Sequence, residues 1–183
     1  MKKSSILFPA LALLIVFSSC KKIKEATQRD VIITPDAIEF TIPVITTTTE
    51  GTLTSVTESD FDLDELIKSA ASEFGEDNIK KITIQSVKIE LLNSNTTNKI
   101  GNFESLSLSI NAPGATEATV AAVTAIPAEA TTSLEIPITG NNELKTYLGA
   151  SSFTYTVKGR ARTVTTIPLQ AKLTAKYTFK VGL

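Results

Sequence analysis

The sequence predicts a mainly β chain, an immunoglobulin-like antiparallel β-sandwich with two short helical insertions. Three observations predict it. The end of the chain alternates strictly, with Leu173, Ala175, Tyr177, Phe179 and Val181 on one face and Lys172, Thr174, Lys176, Thr178 and Lys180 on the other. That pattern belongs to an antiparallel strand with one wet face. Threonine is unusually frequent and, with Val, Ile, Tyr and Phe, favours strands. Finally, about seven to nine short alternating segments separated by turn signals leave room for only two helices, which suits two packed sheets.

Length sets the domain count. Residues 1–19 read as a leader, 20–35 as a flexible tether and 36–183 as a single sandwich domain. A chain of that size buries roughly 70% of the surface its unfolded form exposes, so it needs neither disulfide nor structural metal. Cys20 is the only cysteine, and no cofactor or metal is expected. The charges nearly balance, with 18 Lys and Arg against 19 Asp and Glu, which gives no reason to expect a nucleic-acid partner.

Each element follows from local pattern. Residues 21–35, "KKIKEATQRDVIITP", show no sustained apolar period and close on Pro35. Ile38, Phe40, Ile42 and Val44 then alternate with Glu39, Thr41 and Pro43, and Pro43 marks an edge strand or a bulge because it cannot donate to a ladder. Thr46 to Thr49 with Glu50-Gly51 read as a hairpin turn into a strand near 52–58. In "SDFDLDELIKSAASEFG", Leu63, Leu66, Ile67, Ala70, Ala71 and Phe74 form the stripe of an amphipathic helix. Ser59 or Asp60 can cap its start, Asp62, Asp64 and Glu65 suit the positive end of its dipole, and Gly75 can end it. The spacing Asp60-x-Asp62-x-Asp64 superficially matches a calcium loop. It fails at Glu65, where glycine is required, and at Ala71, where a bidentate glutamate is required.

The long strand "KKITIQSVKIELLN" changes parity between Ile82/Ile84 and Val87/Ile89/Leu91, so Gln85-Ser86 marks a bulge. Asn93 to Asn98 make a polar turn. Leu106, Leu108 and Ile110 alternate with serines, and Thr119, Val120, Val123 and Thr124 suggest a strand over 117–125 that stops before Pro127. Leu134, Ile136 and Ile138 give another. Asn141 or Asn142 can cap a short helix through Leu144, Tyr147 and Leu148 to Gly149. Phe153, Tyr155 and Val157 start a strand, "KGRAR" reads as a basic hairpin, and the final long strand follows with its outward lysines discouraging edge pairing.

Lys2 and Lys3, the apolar run Ile6 to Phe17, and the small pair Ser18-Ser19 compose an export leader that is too short to span a bilayer. The segment "VFSSC" resembles the lipobox of bacterial lipoproteins. The resemblance implies cleavage before Cys20, diacylglycerol on its thiol and an acyl chain such as palmitate on its amine. Each buried CH₂ then stabilises membrane attachment by about 0.8 kcal/mol, and two or more chains hold stably. Lys21-Lys22-Ile23-Lys24-Glu25 follow with no aspartate beside the cysteine, a pattern similar to lipoproteins forwarded to an outer membrane. Surface-exported lipoproteins of the Bacteroidota carry an acidic run there, so the basic stretch points to the periplasmic face. A "FDLDEL" helix before a long strand and a "NNELKTYLG" helix near the C-terminus also resemble small uncharacterised Bacteroidota lipoproteins. That resemblance implies no catalytic residues.

The chain has no histidine, which removes Ser-His-Asp, Cys-His and histidine-metal sites. No Ser-x-x-Lys follows Cys20, and no phosphate-binding glycine loop or dinucleotide fingerprint occurs. A hydrolase built on a carboxylate pair is the enzymatic fallback, although the acidic cluster already has a use at a helix start. The sequence therefore predicts a non-catalytic interaction or scaffold module, lipid-anchored at Cys20, with a protein partner in the cell envelope. The alternative is an envelope ligand-binding lipoprotein in which Lys158, Arg160 and Arg162 meet an anionic glycolipid or glycan, or a surface adhesin or pilus subunit. A solvated hairpin tip is the plainer reading of those three cations.

Overall fold

The structure, a computed structural model, describes residues 28–58, 61–140 and 143–183. The leader, Cys20 and the proposed caps Ser59, Asp60, Asn141 and Asn142 lie outside the described residues. Within them run nine strands: β1 (Arg29–Ile33), β2 (Ile38–Ile42), β3 (Gly51–Glu58), β4 (Ile79–Leu91), β5 (Phe103–Asn111), β6 (Ala118–Val123), β7 (Ser133–Ile136), β8 (Phe153–Ala161) and β9 (Leu169–Val181). Helix α1 (Leu63–Ala70) sits between β3 and β4, and α2 (Lys145–Leu148) between β7 and β8.

Two antiparallel sheets pack as a sandwich. In one, β9 lies between β4 and an edge shared by β1 and β2, and β7 flanks β4. In the other the order is β3-β8-β5-β6. Their inner faces meet in a continuous core whose largest fully buried side chains include Phe103, Phe153, Tyr177 and Phe179. The alternation read in the sequence places these faces. Leu169, Leu173, Tyr177, Phe179 and Val181 are all buried, while Lys176 and Lys180 are exposed.

Several expectations are corrected by the pairing. The turn after β2 and the "KGRAR" segment are not hairpins, because β2 and β3, and likewise β8 and β9, belong to different sheets. Residues 43–50 form one arch across the core, whereas Lys158 to Ala161 of "KGRAR" continue β8 and the second arch is residues 162–168. Strand β9 is central, so its lysines do not protect an edge; Lys172 instead reaches Glu90 on β4 at 3.5 Å and Lys180 reaches Asp30 on β1 at 3.9 Å. The stretch expected as tether contains β1, whose Val31 and Ile33 are buried while Ile32 between them is 57% exposed. Alternation is present there but too short, and too masked by Ile32, to show as a period.

The edge formed by β1 and β2 is broken. Ile33 pairs with Tyr177 and Ile38 with Leu173, so four residues, Thr34 to Ala37, stand opposite three on β9. Pro35 falls inside this gap, where its missing N–H costs no ladder bond. The expected irregularity at Gln85-Ser86 is present as a register shift between Ile84 and Ser86. Helix α1 is shorter than its apolar stripe: Asp62, in extended conformation, caps it by accepting the Glu65 N–H at 2.9 Å, and the N–H of Ala71 closes the last turn on Ile67 at 2.7 Å. Ala71 and Phe74 lie past the helix yet remain buried.

Candidate functional site

The described chain starts beside the end of β9. Arg29 pairs with Val181, and the Gly182 N–H donates to Asn78 O at 3.0 Å. Cys20, outside the described residues, is separated from β1 by eight residues, which span at most about 30 Å when fully extended.

The three cations singled out from the sequence do not form one free basic patch. Lys158 and Arg160 lie within β8, and Arg162 follows it. Lys158 Nζ pairs with Glu117 Oε1 at 2.5 Å, and Arg160 Nε with Glu104 Oε2 at 3.3 Å. Hydrogen bonds from Lys158 and from Ser109 hold Glu117 below the usual carboxylate range. Arg162 turns away from both and donates to the carbonyls of Gly101 at 2.7 Å and Ile126 at 2.8 Å, tying three loops together. An anion arriving here must compete with two carboxylates.

A different site emerges on the flank of the sandwich. The break at Thr34 to Ala37 leaves Thr174 to Lys176 of β9 without a ladder partner on that side, and residues of α1 line the space beside it. Between them lies a cavity of about 360 Å³, walled by Ile38, Phe61, Leu66 and Leu173. That volume falls at the low end of small-molecule sites. Asp36, Glu58, Asp62 and Glu65 also line it, and among the described residues no lysine or arginine does. Among the described residues, no cluster of three or more carboxylates is close enough to hold a metal ion.

Tyr155 from β8 and Tyr177 from β9 line the same cavity and meet there, hydroxyl to hydroxyl. They are 3% and 1% exposed. Burial pushes the Tyr177 phenol up to about 12, against a small opposing effect of its bond to Tyr155. Tyr155 is pushed well above the usual phenol value, first by burial and then by Tyr177 and the charge of Glu58. Both phenols therefore stay neutral across the physiological range. A T-shaped run of Phe61, Phe153 and Tyr155, each ring 5.2 Å from the next, fixes the ring of Tyr155. Sequence spacing does not reveal this pair, because its members stand on consecutive strands that enter opposite sheets.

The end of the sandwich remote from Arg29 gathers three loops. Thr165 N–H donates to Ile45 O at 3.1 Å, Leu92 N–H to Gln170 O at 2.8 Å, and Asn98 Nδ2 to Thr166 Oγ1 at 3.0 Å. Val44, Leu92, Val164 and Ile167 sit in these loops and are exposed.

No protein-family description matches the chain, and no curated protein matches it. Among solved structures, one titled Desmodium yellow mottle tymovirus is similar at 10% identity, with all of this chain and 90% of that chain covered and a TM-score of 0.25. Another, titled structure of infectious bursal disease virus Gx strain, is similar at 11% identity over 85% of this chain and 42% of that one, with a TM-score of 0.22. Likenesses this distant carry no argument about function, and the chain stands on its sandwich fold and its own residues.

Proposed function

We propose that the chain is a lipoprotein of the outer membrane, held on the periplasmic face through Cys20, and that it serves as a non-catalytic interaction module for another envelope protein. The observation that carries the reading is Cys20 itself, placed directly behind a basic, apolar and small-residue leader. The geometry of the sandwich is compatible with it. Strand β1 starts at the end where β9 stops, and β9 has 13 residues. At about 3.3 Å per residue the far loops stand roughly 40 Å from that end. An attachment at Cys20 thus presents Val44, Leu92, Val164 and Ile167 away from the bilayer, where apolar loop tips favour a protein partner.

One experiment tests both halves. A photo-crosslinking residue is placed at Val164, with Lys176 on the exposed sheet face as control, in the wild-type chain and in Cys20→Ala. The reading expects membrane association and one discrete protein adduct from position 164 in the wild type, and loss of both in Cys20→Ala. Membrane association that survives Cys20→Ala overturns the anchor. Equal adducts from 164 and 176 overturn the docking end.

A further inference from the structure

The geometry points to the flank cavity as a binding site for a small organic cation with an apolar body and a hydroxyl tip, its nitrogen among the carboxylates at the mouth and its tip on the tyrosine pair. The site is independent of the lipid anchor. Its strongest support is a count of protons. The hydroxyls of Tyr155 and Tyr177 hold two, and their mutual hydrogen bond uses one. Neither hydroxyl has another partner among the described residues, so one O–H has no second protein acceptor although both side chains are almost wholly buried. Leaving such a donor unsatisfied is costly. The cavity that both residues line is the place from which an acceptor can come.

The tyrosine that donates within the pair keeps lone pairs of its own, so the floor can both give and take a hydrogen bond. A hydroxyl group matches that, because it accepts one bond and returns one. The two phenols of the floor are neutral, since burial holds both protonated, and the charge nearest to them is the Glu58 carboxylate, which raises Tyr155 further. Charge belongs at the mouth. Asp36 and Glu65 are exposed and form no ion pair among the described residues, and Asp62 commits one oxygen to the Glu65 N–H. Among the described residues the charged side chains that line the cavity are all acidic, which disfavours anions. Between mouth and floor, Ile38, Phe61, Leu66 and Leu173 offer an apolar wall for a ring or short alkyl body.

Three probes separate the parts of the site: tyramine, which carries both ammonium and hydroxyl, 2-phenylethylamine, which lacks the hydroxyl, and 4-ethylphenol, which lacks the ammonium. Each is titrated into the purified chain by calorimetry or by chemical-shift perturbation. Tyramine is expected to bind most tightly, with each of the other two weaker by about fivefold or more. The exposed double substitution D36N/E65Q, which leaves the core intact, should weaken tyramine by about fivefold and leave 4-ethylphenol unchanged. The double substitution Y155F/Y177F, which removes both floor hydroxyls, should abolish the preference for tyramine over 2-phenylethylamine; should that variant fail to fold, D36N/E65Q and the probe series decide alone. Absence of tyramine binding at about 10 mM, equal binding of all three probes, or a preference resting on only one of the two groups overturns the site.

Discussion

Asn102 shows how much a single side chain holds in place. It is 4% exposed, accepts the Lys99 N–H at 2.9 Å and donates to Thr97 O at 3.0 Å and Thr163 Oγ1 at 2.9 Å. It thereby joins the turn before β5 to the arch between β8 and β9. Beside it, a Cβ on Gly101 would stand 2.1 Å from Ala128 O, so only glycine permits the neighbouring loop to approach. Asn102→Ala removes the partner of several part-buried groups at once and is expected to cost about 2–3 kcal/mol. For a chain of this size that lowers the melting midpoint by roughly 5–10 °C, which a thermal unfolding curve followed by circular dichroism checks. The sequence marks residues 93–98 as a polar turn but does not reveal what this asparagine does, since its partners Thr163 and Val164 lie some sixty positions away. Arg162 is similar. Its charge is visible in the sequence, whereas the two carbonyls it satisfies are set by tertiary structure.

At the scale of elements, β1 separates a tether from a domain edge. Ile33 is 6% exposed and pairs opposite Tyr177, while its neighbour Ile32 is 57% exposed. Ile33→Ala is therefore expected to destabilise by about 2–3 kcal/mol, near the lower end for buried isoleucines because an edge site can partly collapse. Ile32→Ala should change stability by no more than about 0.5 kcal/mol. Urea midpoints of the two variants check the contrast, and a flexible tether would give none. The long strands are legible in the sequence because period-two alternation reports which face is wet, and β4 even displays its bulge as a change of parity. Alternation says nothing about which strand lies beside which. For that reason the two arches read as hairpins, and β9, with lysines along one face, reads as an edge although it is central. Helix α1 is legible from its stripe, but its cap is Asp62, one of three acidic residues whose sequence context suits the dipole equally well.

For the whole molecule, the tyrosine pair is the point where the two sheets exchange a hydrogen bond through the core, since Tyr155 belongs to one and Tyr177 to the other. Both phenols have raised pKa values in the folded chain, so the native state binds more protons than the unfolded one between about pH 10 and 12. Stability from this source is complete below about pH 10 and declines as pH rises through that window. Urea unfolding between pH 8 and 11.5 should show this alkaline loss, and Tyr177→Phe should make the decline shallower by up to about 1.4 kcal/mol per pH unit.

The position of β9 also has a kinetic consequence. It is the last strand of the described chain and the central strand of its sheet, while β1 and β2, which precede every other strand, pair only with it. As the chain is made or threaded from its N-terminus, those two strands wait with open backbone groups until residues 169–181 arrive. Closing a loop of nearly the whole domain is slow, which places folding in the millisecond-to-second range typical of high contact order. A nascent chain is thus at its most adhesive just before residues 169–181 emerge, and one cut short there leaves β1 and β2 unpaired.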